Sequence, residues 1–243
     1  MSKVRLGFLS ANNRRGSHYD DFLDLIPDTA SVEITPLNLW KTSLYDLKGK
    51  AEEHIDLVLD LQSKKHWDGI ALMGAPMQVQ NPNHIDQLRA LVSIPVTTAL
   101  EAGSAAVKAF NAHKVLLLTP FDDGLNVLLK EFLEDDGLSI STPANNRSDT
   151  TKEDVDSTER KTTQEVLKLA LEAHKTYPDV EAIYFQGAPL NPLNAIEEIE
   201  SRLGIPVIAS NPAMFWHISS LLNHRLPSYK GGRLMQEWPS IQS

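Results

Sequence analysis

The stretches I-A-L-M-G-A-P-M-Q at residues 70–78 and I-Y-F-Q-G-A-P-L-N at residues 183–191 carry the same G-A-P tripeptide, its glycines 113 residues apart. Each follows a short apolar run and precedes a polar one. Working outward, the match extends on both sides. S-I-P-V-T-T-A at 93–99 answers G-I-P-V-I-A-S at 204–210, and the run beginning at Val4 answers the one beginning at Val115 within K-V-L-L-L-T-P at 114–120. Val4 and Val115 are 111 residues apart, as are Pro95 and Pro206. A period this long marks two similar lobes rather than a solenoid.

Within each period, buried runs alternate with amphipathic ones. Strands are predicted at Val4–Ser10, Val32–Leu39, Gly69–Met73 and Ile94–Thr98, then again at Lys114–Pro120, Leu138–Pro143, Ala182–Gln186 and Ile205–Ser210. Helices are predicted at Tyr19–Ile26, Tyr45–Lys65 and His84–Val92, then at Asp122–Glu134, Lys152–Tyr177, Asn191–Leu203 and Ala213–Leu222. The clearest is Tyr45–Lys65, where Leu47, Ala51, Ile55, Val58 and Leu59 recur at helical spacing. Strand and helix in alternation imply parallel sheets with right-handed crossovers. The fold expected is therefore α/β: two pseudo-symmetric flavodoxin-like lobes, each a four-stranded parallel sheet with flanking helices, and a cleft between them. Residues 1–99 with 212–243 are expected to form the first lobe and 100–211 the second. Ligands of parallel sheets bind beyond the carboxyl ends of the strands, where both G-A-P segments fall. Thr142–Glu159 is polar and reads as a linker or a lid over the cleft.

Composition narrows the chemistry. The 243 residues hold no cysteine, so disulfides, thiolate metal sites and thiol nucleophiles are excluded. The net charge of −9 argues against nucleic acid as a partner. No run reaches the length of a membrane span, and no targeting signal is evident, so a cytoplasmic protein is expected. The eight histidines form no HxH or HxxxH pair, and neither G-x-G-x-x-G nor G-x-x-x-x-G-K-[ST] follows a strand. No metal or cofactor is expected.

The text of Gly187–His217, with Ile70–Gln78, Pro95–Phe110 and Lys114–Leu138, resembles the aspartate/glutamate racemase superfamily, nearest to arylmalonate decarboxylases and maleate isomerases. The resemblance implies a cofactor-free enzyme acting on a small organic acid or its derivative, as a lyase, decarboxylase or isomerase, through a carbanion or enolate. It also implies two facing positions for catalytic cysteines. Here both are glycine, Gly74 and Gly187. The family's carboxylate pocket uses loop N–H groups and hydroxyls, with a tyrosine early in the second lobe. Those positions hold Ala75, Pro76, Ala188, Pro189 and Phe121, and proline has no N–H to give. Some other acid or base is then required. Glu101, His217, His18 and Asp122 are the candidates. Asp122 also suits a helix N-cap, and Glu101 suits a helix's first turn. Asn13, Arg14, Gln186 and Asn211 join the loop residues as candidate substrate contacts, with Asn211 near an expected helix cap. Strand alternation is expected to divide Tyr184 and Gln186 between the two faces of their strand. The partner is expected to be a small molecule, with homo-oligomers open. Two other functions remain: a hydrolase using carboxylate-activated water on an uncharged substrate, and a non-catalytic binding protein that kept the scaffold.

Overall fold

A computed structural model describes residues 3–12, 19–144 and 161–242. Two four-stranded sheets, parallel throughout, have matching strand orders. The first runs β2-β1-β3-β4, with β1 (Val4–Ser10), β2 (Ala30–Pro36), β3 (Gly69–Met73) and β4 (Val96–Thr98). The second runs β6-β5-β7-β8, with β5 (Lys114–Leu118), β6 (Ser139–Ser141), β7 (Ala182–Phe185) and β8 (Val207–Ala209). β1 and β3 fall where the apolar runs place them. β4 and β8 begin after Pro95 and Pro206, which cannot donate to a ladder.

The helices are α1 (Asp20–Leu23), α2 (Ala51–Lys65), α3 (Ala75–Gln80), α4 (His84–Leu91), α5 (Ala99–Ala109), α6 (Asp123–Asp135), α7 (Thr163–Thr176), α8 (Ile196–Leu203), α9 (Ser210–Leu221) and α10 (Gly232–Glu237). Several differ from expectation for local reasons. The helix expected over Tyr45–Lys65 is split. A 3-10 turn at Leu44–Leu47 is closed by a capping box between Ser43 and Asp46, and Gly49 at φ +79° redirects the chain before α2. α3 and α10 were not expected, and α8 starts at Ile196 because Ala188–Leu190 forms a separate 3-10 turn. Most of the polar segment 142–159 lies outside the described residues.

Alternation along β5, β7 and β8 divides two cores. Val115, Leu117, Ala182, Tyr184 and Ile208 join a cluster shared with the first lobe. Leu116, Leu118, Ile183, Phe185 and Val207 face α7 and α8 in a second cluster. α5 and α9 pack on each other; α9 also covers β3 and β4, while α10 rests on α8 and β8. Between the lobes, the buried Tyr184 hydroxyl donates to the Ala99 carbonyl at 2.7 Å. No helix among the described residues is long and apolar enough to cross a membrane.

Candidate active site

The two G-A-P segments are built alike. β3 ends at Met73, Gly74 turns at φ +95°, and α3 begins with Ala75 and Pro76. Pro76 sits in the first helical turn, where its missing N–H removes no helix bond. β7 ends at Phe185, Gly187 turns at φ +115°, and the 3-10 turn Ala188–Leu190 follows, closed by Leu190 N–H to Gly187 O at 3.1 Å.

Each segment then meets the opposite lobe, and at equivalent places. α3 packs on α6, the helix after the first strand of the second lobe. Past the second segment, the Asn191 and Asn194 amides donate to Asp21 Oδ2 at 3.1 and 3.0 Å, and Asp21 lies on α1, the helix after the first strand of the first lobe. Both segments thus reach the lobe boundary at the carboxyl ends of their sheets.

The two glycines differ in what surrounds them. A Cβ on Gly74 would find no atom of the described residues within 4 Å. On Gly187 it would lie 2.6 Å from Pro120 Cδ and 2.8 Å from Pro120 Cγ, with Phe121 Cζ at 3.7 Å. Pro120 therefore occupies the space that a side chain at 187 needs, with Phe121 at ordinary contact distance, whereas no atom of the described residues enters the corresponding space at 74. Gln186 is buried beside them, and its Oε1 accepts from the Tyr184 hydroxyl at 3.3 Å. The expected division of Tyr184 and Gln186 between two faces is incorrect: residues two apart on a strand share a face.

The titratable candidates separate into groups. Asp122 is the N-cap of α6. Its Oδ1 accepts from Leu125 N–H at 2.9 Å and also from the Tyr45 hydroxyl at 2.9 Å. Tyr45 belongs to the 3-10 turn of the first lobe, so this bond crosses the lobe boundary beside α3. The turn is tied to α3 by Gln80, whose Nε2 donates to Leu44 O at 3.0 Å. Burial, and then the hydrogen bond and charge of Asp122, push the Tyr45 phenol up to about 12. Tyr45 is not among the residues that the sequence marks for chemistry, because its helical spacing places it in the following helix. The spacing of Ser43 and Asp46, three apart ahead of Gly49, was the available sign of a separate turn.

Glu101 lies in the first turn of α5 and is held by Arg89, with Nη1 at 3.0 Å and Nη2 at 2.7 Å from its two oxygens. His217 Nδ1 and Thr97 Oγ1 share a hydrogen bond of 2.6 Å. Burial lowers the His217 pKa; Glu101 opposes that shift and Arg89 adds to it. Thr97 pairs in register with Ala71, three residues behind Gly74, or about 10 Å along the strand. Glu101, Arg89, Thr97 and His217 thus form a second polar group on the β4 edge. Asn211 lies inside the first turn of α9, whose N-cap is Ala209 without a side-chain bond, so the expectation of an Asn211 cap is corrected. Asn13, Arg14 and His18 lie outside the described residues. Among the described residues, no group of three or more His, Asp or Glu side chains is placed to hold a metal ion.

The arylmalonate decarboxylase family model matches residues 49–235, most of the chain and both G-A-P segments. The chain belongs to the arylmalonate decarboxylase family. An arylmalonate decarboxylase of Bordetella bronchiseptica is 31% identical over 151 residues, a stretch that spans 62% of this chain and 61% of that protein. The chain thus matches less than two thirds of that relative's length. A liganded double mutant of arylmalonate decarboxylase has the same fold, with a TM-score of 0.79 and 23% identity over 97% of this chain and 100% of that one. The maleate isomerase of Pseudomonas putida S16 has it too, with a TM-score of 0.81 and 16% identity over 98% and 100%. Within the arylmalonate decarboxylase family, this chain is a member that contains no cysteine.

Proposed function

We propose that this chain is a cofactor-free decarboxylase or isomerase of a small organic acid or its derivative, working through a carbanion or enolate between the lobes without a thiol. The observation that carries this reading is the crossing of both G-A-P segments to the opposite lobe's first helix. It gathers loops from two sheets at one boundary, where a small ligand can be enclosed and water excluded. Family membership supports the reaction class. An enolate forms when a bond to carbon breaks and its electron pair stays on the substrate, so the site must hold the carboxyl or carbonyl group and deliver one proton to carbon.

The loops are poorer in donors than an anion site needs. Pro76 and Pro189 supply no N–H, and Ala75 and Ala188 supply no hydroxyl. Each oxyanion donor contributes on the order of 3 kcal/mol to a transition state. The site therefore suits substrates with an apolar body and less charge at these loops, such as an aryl-substituted acid or a half-amide. The test is a screen of arylmalonates, maleate and their amides in D2O, followed by NMR. Deuterium appearing on carbon is the expected result. Hydrolysis without carbon exchange, or binding without turnover, sinks the reading.

A further inference from the structure

We propose that Tyr45 is the proton donor of this site, delivering its hydroxyl proton to the substrate carbanion from the Gly74 side, with Asp122 as its positioning residue. The inference rests on the carbanion chemistry proposed above and adds the residue and the direction of attack.

The two halves of the site are closed to different degrees. At Gly187, Pro120 fills the space where a side chain would project and Phe121 lies in contact beside it, so that half presents an apolar wall. At Gly74 no atom of the described residues lies within 4 Å of the added Cβ position, so among them a substrate atom has room there. A group that protonates carbon must stand on the open side. Tyr45 lies in the 3-10 turn that packs on α3, its hydroxyl bonds to Asp122 at the start of α6, and the residue is 43% exposed.

Its placement is fixed from several directions. Asp46 Oδ2 accepts from the N–H groups of Lys41, Thr42 and Ser43, which closes the turn. Asn81 Nδ2 donates to Leu47 O at 2.8 Å, and Gln80 holds Leu44. At the far end the hydroxyl reaches Asp122, and a Cβ on Gly124 would lie only 2.5 Å from that oxygen. The phenol thus fits against α6 because residue 124 has no side chain. Among the described residues, Glu101 has both oxygens held by Arg89, and His217 is bonded to Thr97 behind the loop.

The step balances without a co-reactant. The bond from the substrate carbon to its departing carboxylate breaks, CO2 leaves, and the electron pair remains as an enolate. The O–H bond of Tyr45 breaks, a C–H bond forms, and Tyr45 is left as a phenolate that takes a proton from water. The neighbouring Asp122 carboxylate disfavours the phenolate, which returns the donor to its protonated state. Asp122 also aims the hydroxyl before the substrate arrives.

Phenylmalonate in D2O is the probe, with CO2 release and deuterium in phenylacetate as readouts. Tyr45→Phe is expected to lower kcat by about 100- to 10,000-fold, the range for a general acid, with KM within a few-fold of wild type. Replacing Tyr45 with 2,3,5-trifluorotyrosine keeps the ring and hydroxyl but makes the phenol more acidic. It is expected to bring an alkaline decline of kcat below pH 10, where wild type stays level. If wild type turns over phenylmalonate but Tyr45→Phe matches it, the assignment of Tyr45 fails and the function stands. If the fluorinated enzyme keeps the wild-type pH profile, the assignment fails even where Tyr45→Phe misfolds. If wild type turns over neither phenylmalonate nor any other compound of the D2O screen, the functional reading and this assignment fall together.

Discussion

A side chain at position 187 should cost far more than one at position 74, although the two glycines begin the same tripeptide. Consider Gly187→Ala and Gly74→Ala. Both residues have positive φ, +115° and +95°, so both variants carry backbone strain of order 1–3 kcal/mol. Among the described residues, only at 187 does the new methyl meet neighbours, at 2.6 and 2.8 Å from the Pro120 ring. Carbon pairs are attractive near 3.5–4.0 Å, so the ring or the loop must shift by about 1 Å. Overpacking of this kind adds about 1–3 kcal/mol. The totals are about 4 kcal/mol for Gly187→Ala and about 2 kcal/mol for Gly74→Ala. For a chain of this size, 1 kcal/mol moves Tm by roughly 2–4 °C. Gly187→Ala should therefore melt roughly 8–16 °C below wild type and Gly74→Ala roughly 4–8 °C below. Thermal melting followed by circular dichroism measures both. A double-mutant cycle with Pro120→Ala isolates the clash, since the coupling should recover about 2 kcal/mol of the Gly187→Ala loss. Equal melting temperatures for the two alanine variants, with no coupling to Pro120, would refute the account of Pro120 as the filler of the second thiol position.

Other outcomes follow from bonds already described. Tyr184→Phe removes the donor to the buried Ala99 carbonyl and should cost about 1–3 kcal/mol, read as a lower denaturant midpoint with unchanged slope. Asp122→Ala removes the α6 cap as well as the partner of Tyr45, and should cost about 1–2 kcal/mol in the same assay. The rings of His54 and His84 lie 5.3 Å apart in the first lobe, both buried. Burial and the neighbouring His84 lower His54 to about 3, while burial lowers His84 against the opposing pull of Asn81 O and Glu101. Both are thus neutral in the fold, and the unfolded chain binds their protons first. Their contribution is complete above about pH 6.5 and is lost as pH falls from there towards 3. Urea midpoints should decline over that window, and His54→Leu should flatten the decline. An identical acid limb in that variant would contradict the assignment.

What the sequence makes legible is whatever depends on pattern. The buried runs of β1, β3 and β5 are apolar at nearly every position, and the repeat extends the same strand order to both sheets. Boundaries blur where an unpatterned bond decides them. Tyr45 continues the helical periodicity of the residues after it, yet the Asp46 carboxylate closes a turn around residues 41–43, and Gly49 ends it. A-P-M-Q at 75–78 reads as loop, and it becomes helix because Gly74 turns the chain and α6 offers a surface. Glu101 and His217 look poised for chemistry in the sequence. Their partners, Arg89 and Thr97, come from a neighbouring helix and strand, and no local spacing announces them.

The duplication itself explains why the site is the hardest part to read. Two copies of one lobe place equivalent loops at a common boundary, so text alone presents Gly74 and Gly187 as equals. Their difference is tertiary, because Pro120 and Phe121 enter from the neighbouring strand, 67 residues before Gly187. The position equivalent to Pro120 in the first lobe is residue 9 by the 111-residue period, and there Leu9 is still inside β1, part of the buried core rather than a cover for Gly74. A small change at the end of one strand therefore makes a symmetric scaffold present one closed wall and one open one. Chemistry at such a boundary must approach the substrate from one side. That is the physical reason to look for the working acid among the residues that surround Gly74 and not among those that surround Gly187.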